Sequence, residues 1–244
     1  AIPQVHGTLF ESLKKLKEVI DIEINSATDN PLIFIDKNGM YKAQSGANFH
    51  GQALSSVIDY VKITLTSVGL ISDKRIFSLL DKYLNYGLPS NLAYDTASGD
   101  TGLMLTQYAS AARAAESRIL SGPASITSIT TSSNQEDFVS MGSIGVLHLH
   151  KIIYNIQLII AIELLCALRA IQITYDLDCL KNTEDKILQN LDYIQVLGKE
   201  TKKVYKYLNT KLPPVKGDKF LQKDMEAMLK IVKSGVLIKQ TFKK

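Results

Sequence analysis

A dense run of polar side chains near the middle of the chain is the first candidate for chemistry. Residues 132–142 contain Gln135, Glu136 and Asp137, followed by the aromatic Phe138. A carboxylate withdrawn from water needs a cationic or hydrogen-donating partner, and the ring of a bound ligand can be that partner. The same groups can instead hold a loop together through hydrogen bonds, and the residues alone leave both roles open.

A second polar segment lies near the N-terminus, where Asn48, Phe49 and His50 stand between Gly46 and Gly51. In a binding site, Phe49 would form a wall against a planar substrate, and the glycines would let the backbone approach it closely. In a purely structural loop, Phe49 would fill the core and His50 would cap a helix. Both interpretations remain open at this stage.

The histidines and cysteines give no pattern typical of a metal site. His148 and His150 are two residues apart on a predicted helix, so they point to different faces. Cys166 and Cys179 have neither metal-ligand spacing nor the number needed for a disulfide framework. The sequence therefore predicts no metal and a reducing compartment.

Charge and hydropathy argue against a nucleic-acid or membrane partner. The net charge is only +4, and the lysines of the C-terminal third recur at helical intervals among acidic and apolar residues, which is typical of a solvated helical face. The most apolar stretch, residues 152–173, carries polar groups that a membrane span would have to bury in lipid. These are Asn155, Gln157, Glu163, Arg169 and Gln172.

The elements that must position the polar segments are mostly helices. Leu9, Leu13, Leu16 and Ile20 repeat at helical spacing, whereas the turn at residues 36–39 predicts a small hairpin. We predict one mainly α-helical domain over residues 1–244, a long-helix bundle with a small β-hairpin near the N-terminus. The predicted elements are helices 8–23, 51–69, 73–83, 101–120, 143–175, 183–209 and 219–233, and strands 32–35 and 40–43.

Several segments, taken together and in order, resemble the histidine ammonia-lyase branch of the aromatic amino acid lyases. The resemblance covers nearly the whole chain and corresponds to the C-terminal half of the family's sequence. Each segment is a weak signal alone, but the ordered set is specific. The segments are residues 2–7 (IPQVHG), 26–32 (SATDNPL), 46–51 (GANFHG), 101–104 (TGLM), 123–125 (PAS), 132–142 (SSNQEDFVSMG) and 161–165 (AIELL).

The resemblance implies a fold of the ammonia-lyase/fumarase-like type and a non-oxidative deamination, with histidine giving urocanate and ammonia. The family's electrophile is 4-methylidene-imidazol-5-one (MIO), which forms from an Ala-Ser-Gly tripeptide in the N-terminal half. The resemblance also implies a small-molecule amino acid substrate, a cytoplasmic homotetramer with sites shared between subunits, and a need for the N-terminal half. We therefore expect this chain alone to be inactive.

Carried over by position, the resemblance implies substrate-binding roles for two groups of residues. Phe49 would pack beside the substrate ring and MIO, and Glu136 would face the substrate side chain, where a carboxylate suits an imidazole. Asn48, His50 and Gln135 belong to the same implied binding set. No residue of this chain is assigned the principal catalytic step.

Three features of the sequence bear on this resemblance. Phe138 stands where histidine lyases usually carry His, and Ser45, Gly46 and Ala47 replace the more usual Gly-Gly. A tyrosine ammonia-lyase or an aminomutase of the same branch, or a non-catalytic helical assembly subunit, therefore remains an alternative. The tripeptide at residues 97–99 (ASG) precedes the TGLM segment instead of lying in the expected glycine-rich context, so we predict that it is coincidental.

Overall fold

The computed structural model describes residues 1–95, 98–175 and 197–241, and the chain is mainly α-helical there, as predicted. The predicted helices 183–209 and 219–233 overlap the observed helices Lys199–Lys211 and Gln222–Ser234, although residues 183–196 lie outside the described part. The elements are α1 (Ile2–Glu23), β1 (Leu32–Ile35), β2 (Tyr41–Gln44), α2 (Gln52–Leu80), α3 (Met104–Leu120), α4 (Gly142–Tyr175), α5 (Lys199–Lys211), α6 (Gln222–Ser234) and α7 (Val236–Thr241).

Helix α1 begins six residues before the predicted start. Pro3 lies in its first turn, where the missing amide hydrogen has no helical partner to lose and the fixed φ suits a helix. One stripe of the helix is withdrawn from solvent and includes Leu9, the fully buried Ser12 and Leu16. The prediction of a helix ending at Glu23 is confirmed.

The predicted hairpin is confirmed, with its second strand shifted by one residue. Strands β1 and β2 pair antiparallel, and Leu32 lies opposite Gln44. The turn is held by Asp36, whose Oδ1 accepts the amides of Asn38 and Met40 at 2.8 and 2.9 Å. Gly39 has a φ of +78°, the left-handed conformation that glycine adopts without a steric penalty.

Helix α2 corrects the sequence prediction of two helices separated near Gly69. The helix is continuous from Gln52 to Leu80. A Cβ at Gly69 would overlap the side chain of Ile156, which is buried. Gly69 therefore marks a close approach to Ile156 and not a helix end, which is a distinction that a single sequence does not carry.

Helix α4 is the most apolar element, and the prediction of one long helix from about residue 143 to 175 is confirmed. Ile152, Ile159 and Ile162 are completely buried. By length and composition alone, two helices of the described part, Gln52–Leu80 and Gly142–Thr174, could also cross a membrane. Within their most apolar windows, 50% and 61% of the residues are buried by the protein itself, as in the core helices of a bundle.

The chain divides into two compact units, and the division falls within α2, α3 and α4. Unit 1 comprises Ala1–Val68 and Glu116–Tyr154, and unit 2 comprises Gly69–Ala115 and Asn155–Lys244. Among the described residues, the apolar core of unit 2 is formed by α4, α5 and α6 through Leu165, Leu208 and Met228. The single domain over residues 1–244 stays a prediction.

Candidate functional site

All five predicted binding residues lie in unit 1, on two loops. Residues 46–51, here called the Phe49 loop, lead into α2 and carry Asn48, Phe49 and His50. Residues 128–141, here called the Glu136 loop, lead into α4 and carry Gln135 and Glu136. Neither loop belongs to an α-helix or to the β-hairpin. Hydrogen bonds specific to each loop therefore place these side chains.

The Phe49 loop presents its aromatic ring to solvent. The His50 amide donates to the Ala47 carbonyl at 3.0 Å, which closes a turn around Asn48 and Phe49. Phe49 is 57% exposed, so it does not fill the core of this chain. Together with Asn48 it lines a surface groove of about 350 Å³ whose other wall comes from the end of α1.

The Glu136 loop is a tight, hydrogen-bonded turn. Thr131 and Glu136 exchange backbone hydrogen bonds of 2.9 and 3.3 Å, and the Thr131 hydroxyl donates to Glu136 Oε2 at 3.0 Å. Between them, Ser132, Ser133 and Asn134 all have positive φ values of 50–71°, a conformation that costs a non-glycine residue on the order of 1 kcal/mol. The exposed Glu136 carboxylate is therefore held by a turn that carries local strain.

The two loops meet at His50 and Phe138. His50 Nε2 lies 3.0 Å from the Phe138 carbonyl oxygen, and the two rings are stacked with centroids 6.0 Å apart and planes 22° apart. A carbonyl can only accept, so Nε2 carries the proton in this contact. A second bond runs from the Ser55 hydroxyl to the Ser140 carbonyl at 2.7 Å. These contacts join the two loops that carry the predicted binding residues.

A buried ion pair in α2 supports the segment that leads to the Glu136 loop, and the sequence analysis missed it. Lys62 Nζ donates to Asp59 Oδ1 at 2.7 Å and to the Gly122 carbonyl at 2.8 Å. The Asp59 carboxylate also accepts the amides of Ala124 and Ser125, at 3.0 and 2.8 Å. A Lys three residues after an Asp within an apolar helix was the available signal, because both need partners when buried.

The Asp59 pKa reflects this network. Burial, the largest single influence, raises the pKa, but the hydrogen bonds from Lys62 and from the Ser125 and Ala124 amides together outweigh it. The net pKa of Asp59 is lower than its ordinary value, so the carboxylate is ionised at neutral pH.

The Ala-Ser-Gly tripeptide at residues 97–99 does not fit the MIO group in this structure. Ser98 and Gly99 are exposed, and the Ser98 hydroxyl donates to the Asp95 carbonyl at 3.0 Å. The Ser98 amide is also directed to Asp95, at 3.3 Å from Oδ1. Ser98 and Gly99 also belong to unit 2, whereas all five predicted binding residues belong to unit 1.

The candidate metal ligands are dispersed. Within residues 1–95, 98–175 and 197–241, no three His, Cys, Asp or Glu side chains are grouped as a metal site. His148 is half-buried and His150, two residues later on α4, is exposed. Cys166 is a free, buried thiol, and Cys179 lies outside the described residues.

Comparison with known proteins matches this arrangement of long helices, hairpin and polar loops to one class of enzyme. Histidine ammonia-lyase from Trypanosoma cruzi has a TM-score of 0.83 and 33% identity, covering 98% of this chain and 43% of that one. Tyrosine aminomutase from Streptomyces globisporus has a TM-score of 0.82 and 30% identity, covering 98% and 41%. The predicted ammonia-lyase fold is therefore confirmed.

The sequence comparison gives the same result. The family described as aromatic amino acid lyase matches residues 1–205, and the chain belongs to this family, which uses the MIO electrophile. Histidine ammonia-lyase from Halalkalibacterium halodurans is 39% identical over 235 residues, covering 96% of this chain and 41% of the relative. The corresponding enzyme from Bacillus cereus (strain B4264) is 36% identical over 239 residues, covering 98% and 43%. The chain thus spans well under half the length of the curated relatives it matches.

Proposed function

We propose that this chain is the C-terminal half of an MIO-dependent histidine ammonia-lyase, which converts histidine to urocanate and ammonia. The observation that carries the proposal is the meeting of the Phe49 loop and the Glu136 loop through His50 and Phe138. This contact joins the residue after Phe49, an exposed aromatic residue, to the residue two positions after Glu136, an exposed carboxylate. Such a pair suits a substrate whose side chain is a flat ring with an N–H donor.

The residues of this chain then bind and orient the substrate. Phe49 stacks against the planar side chain, and Glu136 accepts a hydrogen bond from an imidazole N–H. Asn48 and Gln135 complete the binding surface around them, and His50 lies where the two loops meet. Within the described residues, Glu136 uses Oε2 for Thr131 and has no hydrogen bond at Oε1, so one carboxylate oxygen remains for the ligand.

The remaining part of the family fold supplies the group that activates the substrate amine. MIO is an electrophile that makes the amino group a leaving group, and it would come from an Ala-Ser-Gly outside this chain, because the tripeptide at residues 97–99 does not fit. The weakly acidic β-proton requires a positioned base as well, and we assign none to this chain. The chain by itself is therefore inactive.

The surface of unit 1 supports an assembly in which other polypeptide covers it. Besides its buried stripe, α1 carries a second apolar stripe that is exposed, and the first turns of α4 are apolar and exposed as well; large apolar surfaces of this kind mark interfaces. We propose a cytoplasmic homotetramer with sites shared between subunits. The exposed side chains are Ile2, Phe10, Leu13 and Ile20 on α1, Ile24 directly after it, and Ile144, Val146, Leu147, Ile153 and Tyr154 on α4.

The test uses the chain alone and the full-length lyase that contains it. With free histidine, we expect no urocanate absorbance from the 244-residue chain and steady turnover from the full-length protein. In the full-length protein, Glu136→Gln should lower kcat/KM for histidine by about 10- to 100-fold, the loss of a charge-assisted hydrogen bond. The matched control, Asp137→Asn, changes the neighbouring carboxylate, and its kcat/KM for histidine should stay within about 3-fold of the wild-type value. Turnover by the chain alone would contradict the proposal.

A second candidate is a tyrosine-active lyase or aminomutase of the same branch. Phe138 in place of the usual His favours it, since it makes the surroundings of Glu136 less polar. Tyrosine turned over faster than histidine, to coumarate or to β-tyrosine, would select this candidate. A full-length protein that turns over neither amino acid, with or without Glu136→Gln, would instead indicate a non-catalytic assembly subunit.

A further inference from the structure

The backbone of residues 138–140 is held from two sides. The carbonyls of Phe138 and Ser140 accept hydrogen bonds from His50 and Ser55, at 3.0 and 2.7 Å. The amide between them, that of Val139, donates to the Ser128 hydroxyl at 2.8 Å. Bonding to alternate sides at successive residues is the pattern of an extended strand. Side chains therefore make the hydrogen bonds that neighbouring strands would make in a regular sheet.

His50 occupies a special place among these contacts because of its neighbours in sequence. It directly follows Phe49, and its partner Phe138 lies two residues after Glu136. Of the two hydrogen bonds that link the loop regions, the His50–Phe138 bond is thus the nearer in sequence to both Phe49 and Glu136. Ser55 is one turn into α2, and its partner Ser140 is four residues from Glu136, so that bond lies farther from both groups.

The contact between His50 and Phe138 consists of a hydrogen bond and a ring-stacking interaction. The bond from Nε2 to a backbone carbonyl does not depend on the side chain at position 138, whereas the stacking of the rings does. Phe138 is 55% exposed, and its ring is stacked with that of His50.

We propose that His50 is a positioning residue, and that its contact with Phe138 sets the spacing between Phe49 and Glu136 and thereby selects the substrate side chain. The selection part rests on the proposed function. In this role Nε2 of His50 is already used by the Phe138 carbonyl, so His50 acts on the substrate through the two loops. Phe138 contributes through its ring and not through a polar contact with the ligand.

The first test measures amide hydrogen exchange, by mass spectrometry, in the 244-residue chain. His50→Ala and His50→Phe both remove the donor, and exchange within residues 131–141 should become roughly 2- to 10-fold faster. His50→Gln places an amide N–H near the position of Nε2 and should restore most of the protection. Phe138→Ala keeps the carbonyl and should have an intermediate effect. Helix α6, in the other unit, reports whether the fold is intact.

The matched control is His150→Ala, which removes an exposed histidine of α4. It should leave exchange in residues 131–141 unchanged. Unchanged exchange in His50→Ala, or a His50→Gln variant as fast as His50→Ala, would overturn the positioning role. This result does not depend on whether the protein is a histidine lyase.

The second test measures KM and kcat for histidine and tyrosine in the full-length lyase. Misplaced binding groups weaken ground-state and transition-state binding together, so His50→Ala should raise KM for histidine about 10-fold while kcat changes less. The KM ratio of histidine to tyrosine should change as well, and His50→Gln should restore it. If the wild-type protein turns over substrate and His50→Ala leaves the KM ratio unchanged, the selection role of His50 is overturned, whereas the proposed function is not. A wild-type protein that turns over neither amino acid would overturn the proposed function and the selection role with it.

Discussion

Lys62 donates to Asp59 inside α2 at 2.7 Å, and the two side chains are only 0% and 6% exposed. Both also bond to the backbone of residues 122–125, which follow α3. A buried ion pair is tolerated only when such additional hydrogen bonds compensate for lost hydration. The pair therefore connects one turn of α2 to residues 122–125, which precede the Glu136 loop.

Replacing Lys62 should strongly destabilise the protein. Lys62→Met leaves the Asp59 carboxylate and the Gly122 carbonyl without the ammonium, and we expect a loss of about 3 kcal/mol in the free energy of unfolding. Urea denaturation followed by circular dichroism measures it. The matched control is Lys17→Met on α1, whose pair with Asp21 is exposed. Lys17→Met should change the free energy of unfolding by no more than about 0.5 kcal/mol. Equal effects of the two variants would contradict this account.

Adding a methyl group at Gly69 should destabilise the protein because Ile156 occupies the space. We expect Gly69→Ala to cost about 1–2 kcal/mol, since overpacking exceeds the gain in helix propensity. Ile156→Val removes Cδ1, the atom that a Gly69 Cβ would meet first, so the double variant should cost less than the sum of the single ones. In contrast, Gly7 of α1 has open space around it, and Gly7→Ala should stabilise by about 0.5–1 kcal/mol. Additive effects of Gly69→Ala and Ile156→Val would argue against the close contact.

Asp218 should stabilise the turn before α3 in a pH-dependent manner. Its carboxylate accepts the Thr101 amide, the Thr101 hydroxyl and the Gly102 amide, and these bonds lower the pKa of Asp218. A carboxyl whose pKa is lowered by folding stabilises above its unfolded-state pKa of about 3.9, and this contribution is lost as the pH falls through the folded value. Asp218→Asn should therefore lower Tm at pH 7, and this difference should shrink as the pH falls below about 3.9. A Tm difference that is the same from pH 7 to pH 3 would refute the assignment.

Cys166 should resist thiol reagents in the folded protein. Burial raises the pKa of Cys166 to about 12, so at pH 8 only about one thiol in ten thousand is ionised. In a Cys179→Ser background, we expect negligible labelling by a disulfide reagent in buffer and complete labelling in urea. Labelling of the folded protein at the rate of a free thiol would show that α4 is not covered as described.

The local elements of this protein could be predicted from the sequence because their determinants lie within a few residues. Apolar spacing in α1 and α4, and the turn formed by Asp36 and Gly39, depend on neighbours that are visible in the sequence. The polar loops that carry Phe49 and Glu136 were likewise identifiable from their composition, and the family resemblance was confirmed. What these residues bind stays a prediction, since most of the family fold lies outside this chain.

The tertiary structure decided the relationships between residues that are far apart in the sequence. Gly69 could have ended a helix, but Ile156, in another helix, makes it a packing position within a continuous one. His50 could have capped a helix, but the Phe138 carbonyl, 88 residues away, accepts its hydrogen bond. A buried or constrained polar group takes whichever partner the fold brings near, and spacing along the chain does not record that choice. The sequence by itself thus determined most of the helices, the hairpin and the family, whereas the tertiary structure decided the continuity of α2 and how the two loops meet.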